Sequence, residues 1–210
     1  MPLAARYRSA HPPSGIMRFM PSLTAPVVPA GRIRSLPQPT LHTGDLVIRP
    51  WESADAVAVF AAYQDPAIQR WHVRSMEDRA EASAWIRSRR QRWRAESGAD
   101  WAVTVGPVIV GRVGIKRFDL ADGIGELAYW VMPAARGQGV AKRAVAAVCG
   151  WAFDVLGLHR LELIHAIDNQ ASCRVAAAAR FGLEGTMRRH ARHEDGWHDM
   201  HLHARLSESP

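Results

Sequence analysis

The sequence has 210 residues, of which 48% are hydrophobic and 22% charged, so it suits one domain with an ordinary core. Its net charge of +7 favours an acidic partner, whether nucleic acid, a polyanionic cofactor or an acidic protein. The only cysteines are Cys149 and Cys173, which exclude a disulfide framework, and no apolar run approaches the roughly 18 residues of a membrane span. We therefore expect a cytoplasmic protein without a membrane segment.

The first 40 residues differ in composition from the rest of the chain. They contain eight of the thirteen prolines and show no helix or strand periodicity. We predict that residues 1–40 form a disordered or extended N-terminal arm and that residues 41–210 form one domain. Arginines in the arm leave an RNA contact open, although a loosely attached tail is the simpler interpretation.

The first half of the predicted domain opens with a strand and two helices. Residues 46–50 alternate as a strand does, and Ser53 then caps a short helix that runs to about Gln64. The Ser75 to Asp78 segment has the spacing of a capping box and opens a long helix to about Glu96. Arginines crowd one side of this helix, which indicates a solvated face or a groove for an acidic substrate.

Three strands follow, at residues 101–105, 108–118 and 126–131, and their short connections predict an antiparallel meander. The remaining pattern predicts a helix over 139–156, a strand over 159–167, a helix over 170–180, and strands over 186–193 and 197–206. The predicted class is α/β (α+β mixed), with about seven strands in one sheet and about four helices on its faces.

The segment from Arg136 to Ala141 carries the strongest functional signal. A strand ends at Pro133, and an Arg-Gly-Gln-Gly turn leads into a helix that starts with small residues. Gly137 and Gly139 allow a ligand to approach the backbone closely. Free N–H groups and the positive end of the helix dipole favour a phosphate at this point.

Residues 41–206 resemble the GNAT superfamily of acetyl-CoA-dependent N-acetyltransferases, and in particular the branch that acetylates ribosomal-protein N-termini. Arg136, Gly139 and Ala141 match that family's pyrophosphate loop, and Tyr129-Trp130 precede it at the family's spacing. The segment from Asn169 to Val175 resembles the second motif of the branch. The resemblance implies a mostly antiparallel sheet that splays in the middle, with acetyl-CoA in the cleft.

The resemblance also implies the residues that hold acetyl-CoA. Pantetheine would pair with the backbone near Val131 and Met132, the pyrophosphate would lie on the loop, and Lys142 or Arg143 would offset phosphate charge. The full expected cofactor-binding set is Val131, Met132, Arg136, Gly137, Gln138, Gly139, Val140, Ala141, Lys142, Asn169 and Ser172.

For catalysis we expect Glu126 to accept the proton of the amine, because it is the only carboxylate on the strand that leads to the loop. The structural alternative is an ion pair with an arginine of a neighbouring strand. A tyrosine that protonates the departing thiolate in many relatives has no counterpart here. Ser172, or a water held by Asn169, would then take that role, and Asn169 is also a good helix N-cap.

Histidines near the C-terminus raise the question of a metal. On the last predicted strand His201 and His203 share one face, but no cysteine or carboxylate cluster completes a tetrahedral set with them. We predict a wet strand face or cleft lining there, a core histidine at His165, and no metal.

The function that the resemblance implies is transfer of an acetyl group from acetyl-CoA to a primary amine, with a protein N-terminus as the candidate acceptor. A catalytically inactive RNA- or ribosome-binding protein with the same fold is the alternative from another class. Succinyl-CoA as donor, and a small amine or an aminoglycoside as acceptor, also stay open. Nucleic-acid contact is not required, and a homodimer is compatible with the sequence.

Overall fold

The computed structural model describes residues 23–208, and within them the chain forms one eight-stranded sheet in the order β1-β2-β3-β4-β5-β6-β8-β7. All neighbouring strands are antiparallel except β5 and β6, which are parallel. The strands are β1 Leu41–Thr43, β2 Leu46–Pro50, β3 Ala99–Val105, β4 Val108–Asp119, β5 Ile124–Val131, β6 Arg160–Ala166, β7 Gly182–His193 and β8 Gly196–Leu206.

Helices cover both faces of this sheet. Over the described range they are α1 Ala56–Ala62, α2 Pro66–His72, α3 Arg79–Arg94, α4 Val140–Gly150 and α5 Gln170–Ala178. A π-helix, Trp151–Leu156, continues α4 until Gly157 ends it in the left-handed conformation. The mixed class and the antiparallel meander of β3, β4 and β5 are confirmed. None of the helices within residues 23–208 is long and apolar enough to span a bilayer.

Two apolar clusters show how the helices are divided between the faces. One cluster joins α4 to one face of the sheet and includes Leu46, Trp101 and Val145. The other joins α1, α2 and α3 to the opposite face and includes Tyr63 and Trp130. Neighbouring strand residues alternate between the clusters because successive side chains point to opposite faces.

Short elements and caps differ from the sequence prediction. The long helix begins at Arg79 because Asp78, rather than Ser75, is its N-cap and accepts the N–H of Glu81. The additional helix α2 was not predicted, since Asp65-Pro66 was interpreted only as a stop. Asp65 lies beyond the end of α1 and caps α2 by accepting the N–H of Ile68, and proline is favoured in a first helical turn.

Residues 23–40, the described part of the predicted disordered or extended arm, contact the domain at several points. Val28 and Ile33 are buried in the larger core, and the N–H groups of Val27 and Val28 donate to carbonyls in the turn that follows β4. The Glu96 carboxylate accepts the N–H groups of Gly31 and Ile33. These contacts order a proline-rich segment that lacks regular structure; residues 1–22 lie outside the described range.

The sheet splays in its middle, as predicted. The parallel pairing of β5 with β6 covers only Ile124 to Leu127 against Arg160 to Leu163. Beyond that point β5 continues to Val131 and β6 to Ala166 without pairing to each other. The backbone of β5 from Ala128 onwards is therefore exposed to a gap between the strands.

Candidate functional site

Two cavities meet at the gap between β5 and β6. A cavity of about 610 Å³ runs along the end of β5, the following loop and the first turns of α4 and α5. A cavity of about 800 Å³ lies under α2 and α3, next to β4, β5 and β6. The residues that line both are Trp71, His72, Tyr129, Asn169 and Ser172. A ligand in one cavity can therefore reach a ligand in the other.

The loop before α4 has the geometry of an anion site. The turn Pro133–Ala135 follows β5, and Gly137 and Gly139 adopt φ values of 78° and 72°. Gly139 is the N-cap of α4 and has no side chain to satisfy the first helical N–H groups. These groups, together with the helix dipole, are available to a phosphate group.

Most residues of the expected cofactor set line the smaller cavity. Those present are Val131, Arg136, Gly137, Gly139, Val140, Ala141, Lys142, Asn169 and Ser172. Met132 and Gln138 do not line it. The N–H of Met132 donates to the carbonyl of Val110 and its side chain packs on the smaller core, while the Gln138 side chain donates to the carbonyl of Ala134.

The side chains of two arginines at this loop are engaged with carboxylates. Arg136 bonds to Asp65 at the start of α2 and to the carbonyl of Val131, so it braces the loop against α2. Arg143 pairs with Asp45 and does not line the cavity. Lys142 is therefore the better placed of the two predicted cations for a phosphate in this cavity.

Asn169 and Ser172 sit together at the start of α5. The Asn169 side chain caps the helix by accepting the N–H of Ser172 at 3.1 Å, as predicted. The Tyr129 hydroxyl, which was not predicted to take part, donates to the Ser172 hydroxyl at 3.1 Å. Tyr129 shares a strand face with Leu127 and Val131, so its direction was predictable, but its meeting with α5 was not.

Burial determines the protonation state of Tyr129 in this pair. It raises the pKa of Tyr129 to about 12, so the phenol stays protonated at neutral pH. Its single proton is directed at a lone pair of Ser172. The hydroxyl proton of Ser172 is therefore not used in this hydrogen bond, and it can point into the adjoining cavity.

Glu126 lies in the larger cavity and is nearly buried, with 7% of its surface exposed. Lys116 Nζ lies 2.6 Å from one carboxylate oxygen, and Arg117 Nε lies 3.8 Å from the other. A bulge in β4 between Ile115 and Arg117 places both cations opposite Glu126. The carboxylate therefore makes the ion pairs expected if Glu126 has only a structural role, and it also faces the cavity.

His72, at the end of α2, is a second titratable group where the cavities meet. Its Nε2 lies 3.0 Å from the carbonyl of Tyr129, which can only accept, so this nitrogen carries the proton. Burial, reinforced by the charge of Arg112, lowers the pKa of His72 from 6.5 to about 4. His72 is neutral at pH 7, and it was missed because α2 was not predicted.

Positive charge dominates the larger cavity. Seven cationic side chains line it against the two carboxylates of Glu126 and Glu162: Arg74, Arg89, Arg92, Arg112, Lys116, Arg117 and Arg192. One of the seven, Arg112, is buried and bonds to Asp100, which also pairs with Arg89. The other five cations still outnumber the two carboxylates, even though Lys116 and Arg117 pair with Glu126, and this excess of positive charge suits a ligand that carries acidic groups.

The C-terminal histidines differ from the predicted wet strand face. His203 is buried, with 6% of its surface exposed, whereas His201 is half-buried. His165 on the neighbouring strand is also 6% exposed, which agrees with the prediction of a core position. Both rings lie beside His201. Cys173 on α5 completes a group of four possible ligands, which corrects the expectation that no cysteine joins these histidines.

Comparisons with known proteins agree with this architecture. A family model described as an acetyltransferase (GNAT) domain matches residues 45–182. The uncharacterized N-acetyltransferase YoaA of Bacillus subtilis (strain 168) is 25% identical over 155 residues, which cover 72% of this chain and 88% of YoaA.

A second relative, the ribosomal-protein-serine acetyltransferase of Escherichia coli (strain K12), is 27% identical over 101 residues, or 48% of this chain and 56% of that protein. The structure of RimL, a ribosomal L7/L12 alpha-N-protein acetyltransferase in complex with coenzyme A, superposes with a TM-score of 0.72 at 17% identity. The superposition covers 80% of this chain and 97% of RimL, which shows the shared fold.

Proposed function

The chain belongs to the acetyltransferase (GNAT) family and is an acyltransferase, and we propose that it transfers the acetyl group of acetyl-CoA to a primary amine, the N-terminal amine of a protein. The observation that carries this proposal is the junction of two cavities at Tyr129 and Ser172, where β5 separates from β6. One cavity suits the donor and the other suits the acceptor.

The donor would lie in the smaller cavity. The pyrophosphate of acetyl-CoA would accept hydrogen bonds from N–H groups between Gly137 and Ala141, with Lys142 adding charge. Pantetheine would run along the part of β5 that β6 leaves unpaired, in the manner of an added strand. This places the thioester near Tyr129 and Ser172.

The acceptor amine would enter from the larger cavity. Its cationic lining repels a free ammonium, so the amine would be best tolerated on a chain that carries acidic side chains close behind it. We therefore propose a peptide N-terminus followed by acidic residues as the preferred acceptor class. The names of two relatives, which refer to ribosomal-protein acetylation, support a protein as the acceptor.

The reaction would proceed by direct attack. The amine nitrogen bonds to the thioester carbon, the carbon–sulfur bond breaks, the amine loses a proton to Glu126 directly or through water, and the thiolate gains a proton from Ser172. Aligning the two reactants supplies much of the rate, because the thioester is already activated. Tyr129 would pass its phenol proton to Ser172 as Ser172 loses its own, and the proton accepted by Glu126 would return to Tyr129 through solvent.

Measurements of acetyl-CoA binding and of RNA binding by the full-length protein distinguish this proposal from the RNA-binding alternative. We expect acetyl-CoA at 100 times its Kd to stabilise the fold by about 2.7 kcal/mol, seen as a higher melting temperature. Glu126→Gln should keep that shift but lose CoA release with an amine acceptor. The proposal fails if acetyl-CoA produces no shift while RNA binds with a steep salt dependence.

A further inference from the structure

Four potential metal ligands meet beneath α5, on the face of the sheet that this helix covers. Antiparallel pairing places His165 of β6 opposite His201 of β8, and Leu163 opposite His203, so the three imidazoles share a face. Cys173 approaches from α5, with its sulfur 3.5 Å from Nδ1 of His201. One ligand atom of each residue lies within 4.8 Å of all the others.

Several polar atoms in this group are buried without a partner among the described residues. They are Nε2 of His165 and both ring nitrogens of His203, and the backbone of Phe181 contacts His203 too weakly to meet hydrogen-bond geometry. Leaving a buried donor or acceptor unsatisfied costs about 1–3 kcal/mol. Native structures rarely accept this cost without a reason, and a bound ion is one such reason.

The protonation states are those that a metal site needs. Nδ1 of His165 lies 2.9 Å from the carbonyl of Ala166, so Nδ1 carries the proton and the lone pair of Nε2 points away from it. A hydrogen bond from the second ring nitrogen to a backbone carbonyl is typical of ligating histidines.

We propose that His165, Cys173, His201 and His203 bind one zinc ion in a tetrahedral Cys-His₃ site. Zinc accepts this mixture of thiolate and imidazole, and bond lengths of 2.0–2.3 Å set ligand-to-ligand distances of roughly 3.3–3.6 Å. The observed ligand atoms lie within 4.8 Å of one another, so the side chains would draw closer when the ion binds. Cys173 gives up its thiol proton when the metal binds.

The site is structural rather than catalytic. Four protein ligands leave no open position for water or substrate. The ion would connect α5 to β6 and β8, and Cys173 directly follows Ser172, whose hydroxyl bonds to Tyr129. Zinc would therefore hold the first turn of α5 in place at the junction of the two cavities.

A second group in the same protein offers a comparison. His193, Asp195 and His198 also bring ligand atoms together, but they number three, and Asp195 is exposed and already bonds to Nε2 of His198 at 2.6 Å. This group lacks a thiol and a fourth ligand. His198 therefore serves as a control position.

Cobalt substitution tests the site directly. Full-length protein is stripped with a chelator and titrated with Co²⁺ alone, and the metal per chain is measured together with the absorption spectrum. We expect one ion per chain, with a sulfur-to-cobalt charge-transfer band and the intense d–d bands of tetrahedral cobalt. Zn²⁺ should displace the cobalt and remove these bands. A spectrum of hydrated cobalt throughout the titration overturns the proposal.

Matched variants assign the ligands. Cys173→Ala should abolish the charge-transfer band, whereas Cys149→Ala, which removes the other cysteine, and His198→Gln should keep it. Because His201 is half-buried, His201→Gln provides a second variant that we expect to fold. It should bind Co²⁺ at least tenfold more weakly. Loss of the band in Cys149→Ala or His198→Gln, or its survival in Cys173→Ala, contradicts the assignment. Metal binding is measured without acetyl transfer, so this outcome is separate from that of the proposed function.

Discussion

The contact between Tyr129 and Ser172 joins a strand to a helix that is distant in sequence. Tyr129 is held protonated by burial and donates to Ser172, which leaves the serine proton free to serve a departing group. In the proposed reaction this arrangement would supply a proton to the thiolate, with the tyrosine located on β5. The pair is thus the residue-level feature on which the proposed chemistry depends.

Tyr129→Phe tests the pair. We expect kcat to fall by about 10²-fold with little change in the KM for acetyl-CoA, because a general acid contributes roughly 10²–10⁴-fold. Ser172→Ala should cost a similar factor, and the double variant should be no worse than the worse single variant. Steady-state kinetics provide the measurement. Multiplied losses in the double variant would indicate that the two hydroxyls act separately.

His72 predicts a pH dependence of stability. Its folded pKa of about 4 is below the unfolded value of 6.5, so the unfolded chain takes up the proton first and stability falls as the pH drops from 6.5 to 4. At about pH 5 this group alone costs about 2 kcal/mol relative to neutral pH. Urea unfolding at pH 7.5 and pH 5 should show a smaller acid loss for His72→Gln than for the natural chain. Equal losses would contradict the neutral state of His72.

Only some residues of the candidate site could be predicted from the sequence. Glu126, Asn169 and Ser172 were expected at the site and line its cavities. Tyr129 and His72 were not, since one depends on where α5 crosses the sheet and the other on a helix hidden behind Asp65-Pro66. The meeting of Cys173 with His165 likewise depends on the tertiary fold and on no local pattern.

At the level of elements, periodic segments were predicted well and aperiodic ones were not. The strand at Leu46–Pro50, the meander and the helix that starts after Gly139 follow from spacing and caps. The segment over residues 23–40 has no period, yet Ile33 fills the larger core and Glu96 accepts its N–H. Composition indicates disorder there because it carries no information on such long-range contacts.

Ile33→Ala measures what this segment contributes to the fold. Ile33 has 0% of its surface exposed, so its truncation should lower the free energy of unfolding by about 2–4 kcal/mol through lost burial and a cavity. Leu23→Ala, at an exposed position of the same segment, should change it by less than about 0.5 kcal/mol. Denaturant titration of both variants gives the comparison. Equal small effects would mean that the segment is only loosely attached.

At the scale of the whole molecule, the charge and the shape of the two cavities both support the proposed division between a donor cavity and an acceptor cavity. The smaller cavity ends at the helix N-terminus of α4, and the larger one collects seven cations against two carboxylates. The net charge of +7 therefore includes a local excess where an acceptor would bind. In the proposed function an acidic peptide would match that excess better than an RNA, because the cations line a cavity beside the proposed position of the thioester.

A peptide with an acidic N-terminal sequence, one free α-amine and one lysine ε-amine tests the central claim most directly. The peptide is incubated with acetyl-CoA and the full-length protein, and fragment mass spectra locate the acetyl group. The account predicts a single acetyl group on the α-amine, with a matching amount of free CoA. Acetyl groups on the lysine alone, or free CoA without any acetylated amine, would contradict it.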